Sequence, residues 1–457
     1  MNNNMNQEGN YKSVAFHTLG CKVNSYETEA MQKLFENAGF QIVNFTEHAD
    51  IYVINTCTVT NIADRKSRQI LHKARKMNEN AIVVAVGCYV QAAKDVLEQD
   101  EAIDIVIGNN RKKDIIEIIN DYNEGNKIVH NTVIDISQEA EYEELSIESV
   151  AEKTRAYIKI QDGCNQFCSY CIIPYARGRV RSRSEETVIK EVEKLVQKGY
   201  KEIVLTGIHL SSYGVDFKQH SESAMEEKEP HLLQLIVKLN IIDGLERIRL
   251  GSLEPRIITE EFAKTLSKAK KVCSHFHLSL QSGCDKILKR MNRKYSASEY
   301  YEKCVLLRKY FDNLAITTDI IVGFPGETEK DFKETEDFLR KVSFAQMHIF
   351  RYSVRKGTSA EKMPNQVKDE IKTERSNILI GLESKMVQEY QSTFIGNTEN
   401  ILIEENMIID GQTYQIGHNE RYLKLAVKFD KDRCNEIIQC KVIGHLNKEM
   451  MFCEIID

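Results

Sequence analysis

The tightest constraint on this chain is one short loop, QDGCNQFCSYCIIPYARGRVRSR at 161–183. Cys164, Cys168 and Cys171 are separated by three residues and then by two, so three thiolates can wrap one face of a metal centre. Soft thiolate sulfur selects zinc, copper(I) or iron–sulfur clusters over hard cations. A structural zinc site takes four protein ligands, usually as two separated pairs. A fourth ligand is missing locally. A four-iron cluster on three cysteines keeps one iron open for a substrate or cofactor, which is the count such chemistry needs. The plain alternative is a structural zinc loop.

This spacing resembles the signature of the radical S-adenosylmethionine (SAM) enzymes. The resemblance implies that the open iron takes the amino and carboxylate groups of SAM. It also implies that an electron from the cluster cleaves SAM to methionine and a 5′-deoxyadenosyl radical, the cofactors carrying the difficult chemistry.

At 457 residues the chain has room for two or three domains, and 42% hydrophobic with 28% charged residues describes an ordinary soluble protein. It has no apolar run near the roughly 20 residues a membrane helix needs, and MNNNMNQEGNYK lacks the apolar stretch of a signal peptide. Twelve cysteines without an export signal point to a reducing, cytoplasmic location. A net charge of −6 gives no global sign of nucleic acid, so any RNA contact must come from local basic patches.

The apolar runs YKSVAFHTL (11–19), IYVIN (51–55), AIVVAV (81–86) and IDIVIG (103–108) alternate with helix-like stretches. Apolar rather than alternating strands imply a parallel sheet covered on both faces, here a first α/β domain over 11–130. The acidic stretch SQEAEYEELSIES (137–149) reads as a linker. Cys21, Cys57 and Cys88 each follow a strand-like run. Loops past the carboxyl ends of parallel strands converge on one crevice, so these distant thiols can meet; otherwise they are buried cysteines acting as small hydrophobes.

An α/β domain with three such cysteines ahead of a radical-SAM loop resembles the methylthiotransferases. The resemblance implies that Cys21, Cys57 and Cys88 bind an auxiliary [4Fe–4S] cluster, beside the SAM-binding [4Fe–4S] cluster on Cys164, Cys168 and Cys171. Between the first cysteines, RKSRQILHKARK (65–76) holds six Lys/Arg and one His. On a helix Arg65, Arg68, His72 and Arg75 recur at three- or four-residue spacing, either as a phosphate-binding face for RNA or as a solvated face.

From 150 to 375 the alternation continues through AYIKI, EIVLTG, RIRLGS, HFHLSL, AITTDIIVGF and AQMHIF. Six βα units without a dinucleotide-binding glycine motif fit a partial (β/α)6 barrel of the radical-SAM kind. Catalytic residues project from the carboxyl ends of barrel strands. Thr206, Gly207, Ser252, Glu254, Gln281, Ser282 and Asp319 stand there as candidates for holding SAM, although turns use the same residue types. Residues 215–231 read as a hydrophilic insert. After the cluster loop Arg177, Arg179, Arg181 and Arg183 alternate. In an extended segment they would share one face at ~7 Å intervals, near phosphate spacing, and are expected to contact RNA; the alternative is that they pair with acids or are solvated.

Beyond 391 the short strand candidates ENILIEEN, TYQIGH, YLKLAVKF, EIIQCKVIGH and MMFCEIID suggest a small antiparallel β-barrel. Residues 391–457 resemble the RNA-binding TRAM domain, but seven Lys/Arg against eleven Asp/Glu make the module acidic. Cys273, Cys284, Cys304, Cys434, Cys440 and Cys453 read as packing residues.

The wording HTLGCKVNSYETE with IQDGCNQFCSYCIIPYARGR resembles the branch acting on N6-threonylcarbamoyladenosine of tRNA. Two other branches, acting on isopentenyladenosine in tRNA and on a ribosomal-protein aspartate, are the alternatives. The resemblance implies a 2-methylthio product beside the anticodon, a reducing electron donor as partner and no membrane. A threonyl carboxylate calls for a cation, and Arg177 or Arg293 is the suggested one. A non-catalytic iron–sulfur RNA-binding protein or redox sensor is the reading from another class.

Overall fold

The computed structural model describes residues 12–124, 132–147, 154–217 and 230–456. The polar N-terminus to residue 11, the end of the acidic stretch at 148–149 and most of the insert, 218–229, lie outside the described residues. Contacts divide the chain into two units: Met1–Glu148 with Ile172–Arg179, and Ser149–Cys171 with Val180–Asp457.

In the first unit, β1 (Ser13–Thr18), β2 (Gln41–Val43), β3 (Ile51–Thr56), β4 (Ile82–Gly87) and β5 (Ile105–Ile107) form one parallel sheet in the order β2-β1-β3-β4-β5. All of β3 is buried, because both sheet faces are covered. On one face Tyr52, Ile54, Val83 and Ala85 meet Leu71 and Ala74 of the helix Asn61–Met77. On the other, Val53, Val84 and Val86 meet Met31, Phe35 and Ile119. The strand β2 has only three residues, too short to mark a period in the sequence.

The acidic stretch is not a linker. Ile136, Leu145 and Ile147 are buried, Tyr26 Oη donates to the Leu145 carbonyl, and Lys113 N–H donates to Glu143. Its apolar residues are sparse enough to hide among the carboxylates, yet Leu145 and Ile147 are buried.

In the second unit β6 (Arg155–Asp162) carries β7 (Arg181–Ser182) antiparallel on one side and β8 (Glu202–Gly207) parallel on the other, with β9 (Arg247–Leu250) beyond. Next come β10 (His275–His277), β11 (Ala315–Val322) and β12 (Gln346–Arg351), all parallel. Isolated bridges Ile248↔Val272 and Leu253↔Leu278 join the two sets into a six-stranded partial barrel. Helices return the chain between strands. Two of them, Ala297–Tyr310 and Glu329–Val342, start with capping boxes at Ser296/Glu299 and Thr328/Asp331.

After the helix Asp369–Ser392, the strands β13 (Thr398–Ile409), β14 (Gln412–His418), β15 (Lys424–Lys428), β16 (Ile437–His445) and β17 (Met451–Ile455) close a barrel around Ile401, Ile403, Leu425, Val427 and Val442. Its pairs are antiparallel, as expected, except β15 with β17, which run parallel. Cys440 and Cys453 sit in this core, and Cys273, Cys284 and Cys304 are buried elsewhere. Cys434 is instead exposed, in the turn before β16.

The acidic C-terminal barrel docks on the amino ends of the partial barrel's strands. There Arg155, Arg247 and Arg249 surround Glu202, whose carboxylate lies 2.9 Å from Arg249 Nε. The same guanidiniums reach across: Arg155 pairs with Glu404, Arg247 donates to the His418 and Asn400 carbonyls, and Arg249 donates to those of Asn419 and Glu420. Tyr422 receives Arg249 and Arg155 over its ring at 4.8 and 5.2 Å.

Burial pushes the Glu202 carboxyl up, but Arg249, Arg155 and Arg247 outweigh it and hold it below the ordinary 4.5. Its stabilisation is therefore full above that value and is lost as pH falls through the lowered folded one. Glu202→Ala is expected to cost about 3–5 kcal/mol, because three buried guanidiniums lose their carboxylate. Denaturant unfolding measures this, and a loss under about 1 kcal/mol would mean the cluster behaves as a surface pair.

Candidate active site

The adjacency of β1, β3 and β4 sets the first three cysteines side by side at their carboxyl ends. Cys21 opens the helix Lys22–Asn37, Cys57 follows β3, and Cys88 begins the short helix after β4. Glycine precedes two of them in left-handed conformation, Gly20 at φ 109° and Gly87 at φ 98°. A Cβ on Gly20 would stand 3.0 Å from Cys57 Sγ, and one on Gly87 would stand 2.5 Å from Asn55 Oδ1. Only glycine leaves that space. Cys57 and Cys88 are buried while Cys21 is exposed, so the triad opens outward at Cys21.

Behind the thiols lies a set of buried charges. Arg177 Nε donates to Cys88 Sγ at 3.1 Å, and its two terminal nitrogens donate to Glu27 Oε1 and Asn24 Oδ1 at 2.8 Å each. Lys112 Nζ lies 3.2 Å from Glu27 and donates to Asn109 Oδ1 at 2.6 Å. Arg177, Lys112 and Glu27 are all fully buried, and both cations reach the Glu27 carboxylate. A net buried positive charge is costly without a counter-charge. Three thiolates holding a metal cluster supply one, so the residues fit an auxiliary iron–sulfur cluster. Burial pushes the Cys57 thiol up to about 11. Cluster loading therefore displaces protons from the site.

The second triad occupies the loop after β6, and a segment at 290–293 clamps it. Ser169 donates from N and Oγ to the Met291 and Arg290 carbonyls, and Asn292 Nδ2 donates to the Phe167 carbonyl. Phe167 takes φ 48°, turning the loop between Cys164 and Cys168. Arg293 donates to Cys168 Sγ at 3.4 Å, to the Ser279 carbonyl at 2.9 Å and to Tyr295 Oη at 2.8 Å. Burial raises the Cys164 thiol to about 11, while the Gln166 N–H and Arg293 oppose the rise. Three half-exposed thiols in one braced loop, with a guanidinium beside the middle one, suit a cluster that keeps an open iron.

The other expected residues divide. Thr206 is buried, and a Cβ on Gly207 would stand 3.0 Å from Gln161 Oε1, which accepts from His209 N–H. Ser252 is exposed, and Glu254 Oε1 accepts from Arg256 at 2.6 Å. Gln281 takes φ 75°, and its N–H donates to the Asp319 carbonyl at 2.8 Å. Ser282 does not face the barrel interior as expected. It is fully buried, with its hydroxyl on Thr335 Oγ1 of an outer helix and on Cys284 N–H.

The alternating arginines also depart from expectation, because the chain does not run extended. A helix at Ile173–Ala176 is followed by β7, paired with β6. This turns Arg177, Arg181 and Arg183 into the interior, against Glu27, Asp162 and Glu191 respectively, and only Arg179 is exposed. On the helix Asn61–Met77, Arg65 and Arg68 are exposed. Arg75 instead pairs with Asp104 and donates to the Glu79 and Ala81 carbonyls, so it leaves the RNA face.

Several site residues escaped the sequence reading: Asn24, Glu27, Lys112 and Asn109 around the first triad, and the 290–292 clamp and His209 around the second. Burial holds His209 down at about 4, with Glu254 opposing, so it is neutral at physiological pH. These residues are single polar positions on helices and loops. Glu27 on an apolar helix face was the one available signal.

Two clusters should give about eight irons per chain. Cys57→Ala is expected to lose roughly half and Cys168→Ala the other half; full iron in Cys57→Ala would remove the auxiliary assignment. In a Cys168→Ala background, Arg177→Gln is expected to lower the midpoint potential of the remaining cluster, since a positive neighbour favours the added electron. EPR-monitored redox titration measures this, and an unmoved potential would restrict Arg177 to packing.

Residues 158–339 match the radical SAM superfamily, and residues 13–108 match uncharacterized protein family UPF0004. The threonylcarbamoyladenosine tRNA methylthiotransferase MtaB of Bacillus subtilis is 40% identical over 97% of this chain and 97% of its own length. The MtaB of Aquifex aeolicus is 41% identical, covering 87% and 94%. The tRNA-2-methylthio-N(6)-dimethylallyladenosine synthase of Finegoldia magna is 32% identical, covering 99% and 96%. Among solved structures, the radical SAM methyltransferase TsrM of Kitasatospora setae shares the fold, with TM-score 0.55 and 17% identity over 74% of this chain and 75% of that one. With both triads in place and similarity through nearly its whole length, this chain belongs to the radical-SAM methylthiotransferase family.

Proposed function

We propose that this chain adds a methylthio group to C2 of N6-threonylcarbamoyladenosine at position 37, beside the anticodon of tRNA. The observation that carries the reading is the end-to-end similarity, at 36–41% identity, to three relatives named for that reaction. Both cysteine triads are present for two [4Fe–4S] clusters and SAM.

When bound, these cofactors supply the radical that activates an unreactive C–H bond and the sulfur and methyl groups to be joined to it. The chain's own residues hold and orient. Cys164, Cys168 and Cys171 would hold the cluster that takes SAM, and Arg293 ties the Cys168 sulfur to the Ser279 carbonyl in the loop after β10. Thr206, Gly207, Glu254 and Gln281 lie near strand ends, suited to the polar parts of SAM. Cys21, Cys57 and Cys88 hold the auxiliary cluster, with Arg177 and Lys112 balancing its charge.

Arg65 and Arg68 on an exposed helix face, with Arg179, are the cations suited to tRNA phosphates. A soluble cytoplasmic setting and a low-potential electron donor follow from this reading; among the described residues no helix is long and apolar enough to cross a membrane.

Mass spectrometry of tRNA nucleosides from cells with and without the chain tests the reaction. Loss of only the methylthio-threonylcarbamoyl nucleoside is expected, and loss of only the isopentenyl counterpart would overturn the substrate assignment. Reversing charge with Arg65→Glu and Arg68→Glu is expected to weaken tRNA binding and flatten its salt dependence while leaving iron content unchanged. Unaltered binding would move the RNA surface elsewhere.

A further inference from the structure

The proposed reaction takes place on the edge of an adenine that sits in an anticodon loop, in contact with neighbouring bases. Enzymes that modify a base take it out of its stack and answer the lost stacking inside the protein. Aromatic rings do this for single-stranded RNA, because every base presents a π-face. Strand β12 presents such a ring on the inner face of the partial barrel.

The two faces of β12 are told apart by what they touch. Met347 is buried, and Arg351 Nη1 donates to Thr373 Oγ1 of the outer helix Asp369–Ser392 at 2.9 Å. The odd-numbered side chains therefore pack toward that helix. Alternation turns Gln346, His348 and Phe350 the other way, inward. All three are exposed, Phe350 at 48%.

Phe350 is also tied by register to the radical loop. Its partner in β11 is Ile321, which packs with Phe324, Tyr352 and Tyr170, and Tyr170 lies between Cys168 and Cys171. Two residues past Phe350, on the same face, Tyr352 N–H extends the ladder to the Val322 carbonyl at 2.9 Å. Its ring meets Phe324 at 5.3 Å, and Phe324 meets Tyr170 at 6.4 Å, both edge to face. Tyr352 is only 4% exposed, so this aromatic row closes at the cysteine loop and opens at Phe350. Toward the amino ends the same face turns polar, where Asp319 faces His348 across the strands and His277 Nε2 lies 3.3 Å from Asp319 Oδ2. An exposed phenylalanine gains the fold little, because its apolar area stays in water. Covered by a base, the same ring gains fully.

We propose that Phe350 is the platform on which the target adenine stacks once it has left the anticodon loop, a deepening that rests on the proposed function. Stacking suits this chemistry better than hydrogen bonds to the ring edge. A base held by its face keeps its edges free, so C2 stays open to reaction. The platform reads the purine and not its N6 substituent, and it therefore serves threonylcarbamoyl- and isopentenyladenosine alike.

The test compares binding of an anticodon stem-loop carrying adenosine at position 37 with the same RNA abasic there, using the cluster-loaded protein and its Phe350→Leu and Phe350→Trp variants. The wild-type chain is expected to prefer the adenosine RNA by about tenfold. Phe350→Leu should bring the ratio near one with iron content unchanged, and Phe350→Trp should keep it. The chain contains no tryptophan, so Phe350→Trp installs a single indole whose emission reports the contact directly. That emission is expected to fall with the adenosine RNA and not with the abasic one, which carries the test should Phe350→Leu lose iron. An indole that does not distinguish the two RNAs overturns the platform, as does a preference that survives Phe350→Leu or is absent from the wild-type chain. Weaker SAM binding in Phe350→Leu with the RNA preference intact would give the ring to the cofactor and overturn it too. If the stacking results hold, yet cells lacking the chain keep every methylthio nucleoside of tRNA, the platform stands and the proposed function falls.

Discussion

A fully buried guanidinium organises the first cysteine site. Arg177 holds the Glu27 carboxylate, the Asn24 amide and the Cys88 sulfur, and Lys112 reaches the same carboxylate. Both cations reach Glu27, and Arg177 also reaches the Cys88 sulfur, so an anionic cluster held there would meet a guanidinium. The sulfurs of Cys21, Cys57 and Cys88 become anionic when they lose their protons to ligate a cluster. Protein charge and metal chemistry are thus matched before any cluster arrives: the interior is prepared for a negatively charged guest. The glycines at 20 and 87 do the steric part, keeping Cβ atoms out of the space beside Cys57 and Asn55.

The partial barrel separates its tasks along the strand direction. At the amino ends Glu202 gathers three arginines, and their spare donors hold the C-terminal barrel through backbone carbonyls and Glu404. At the carboxyl ends sit the cysteine loop and its 290–293 clamp. Stability at one end and chemistry at the other is the division expected of strand-built barrels. The docking also gives the C-terminal module's acidity a use. Part of that charge faces arginines of the barrel, so the module's net sign says little about its outer surface.

Covalent patterns were legible in the sequence, and electrostatic partnerships were not. The Cys-x3-Cys-x2-Cys spacing and the placement of Cys21, Cys57 and Cys88 after apolar runs identified both triads, because metal ligation needs fixed residue types at strand ends. The long apolar strands were equally visible. Arg177, Arg181 and Arg183 misled because a charged residue looks the same in sequence whether solvated or paired, and their partners Glu27, Asp162 and Glu191 are separated from them by variable stretches of chain. The acidic stretch at 137–149 misled for the converse reason, since a few buried apolar side chains among many acids carry no period. His277, Asp319 and His348 come together only through the register of three parallel strands.

The segment Ile172–Arg179 groups with the first unit, although the residues on either side of it belong to the second. The polypeptide therefore passes between units three times, near 148, 171 and 179, rather than once. Two domains joined by a single linker can be cut apart, shuffled or inherited separately. Here the fragment ending near residue 148 would lack Arg177, and Glu27 and Cys88 with it would lose a bonding partner. The module that anchors the auxiliary site is thus not encoded by a contiguous stretch of gene.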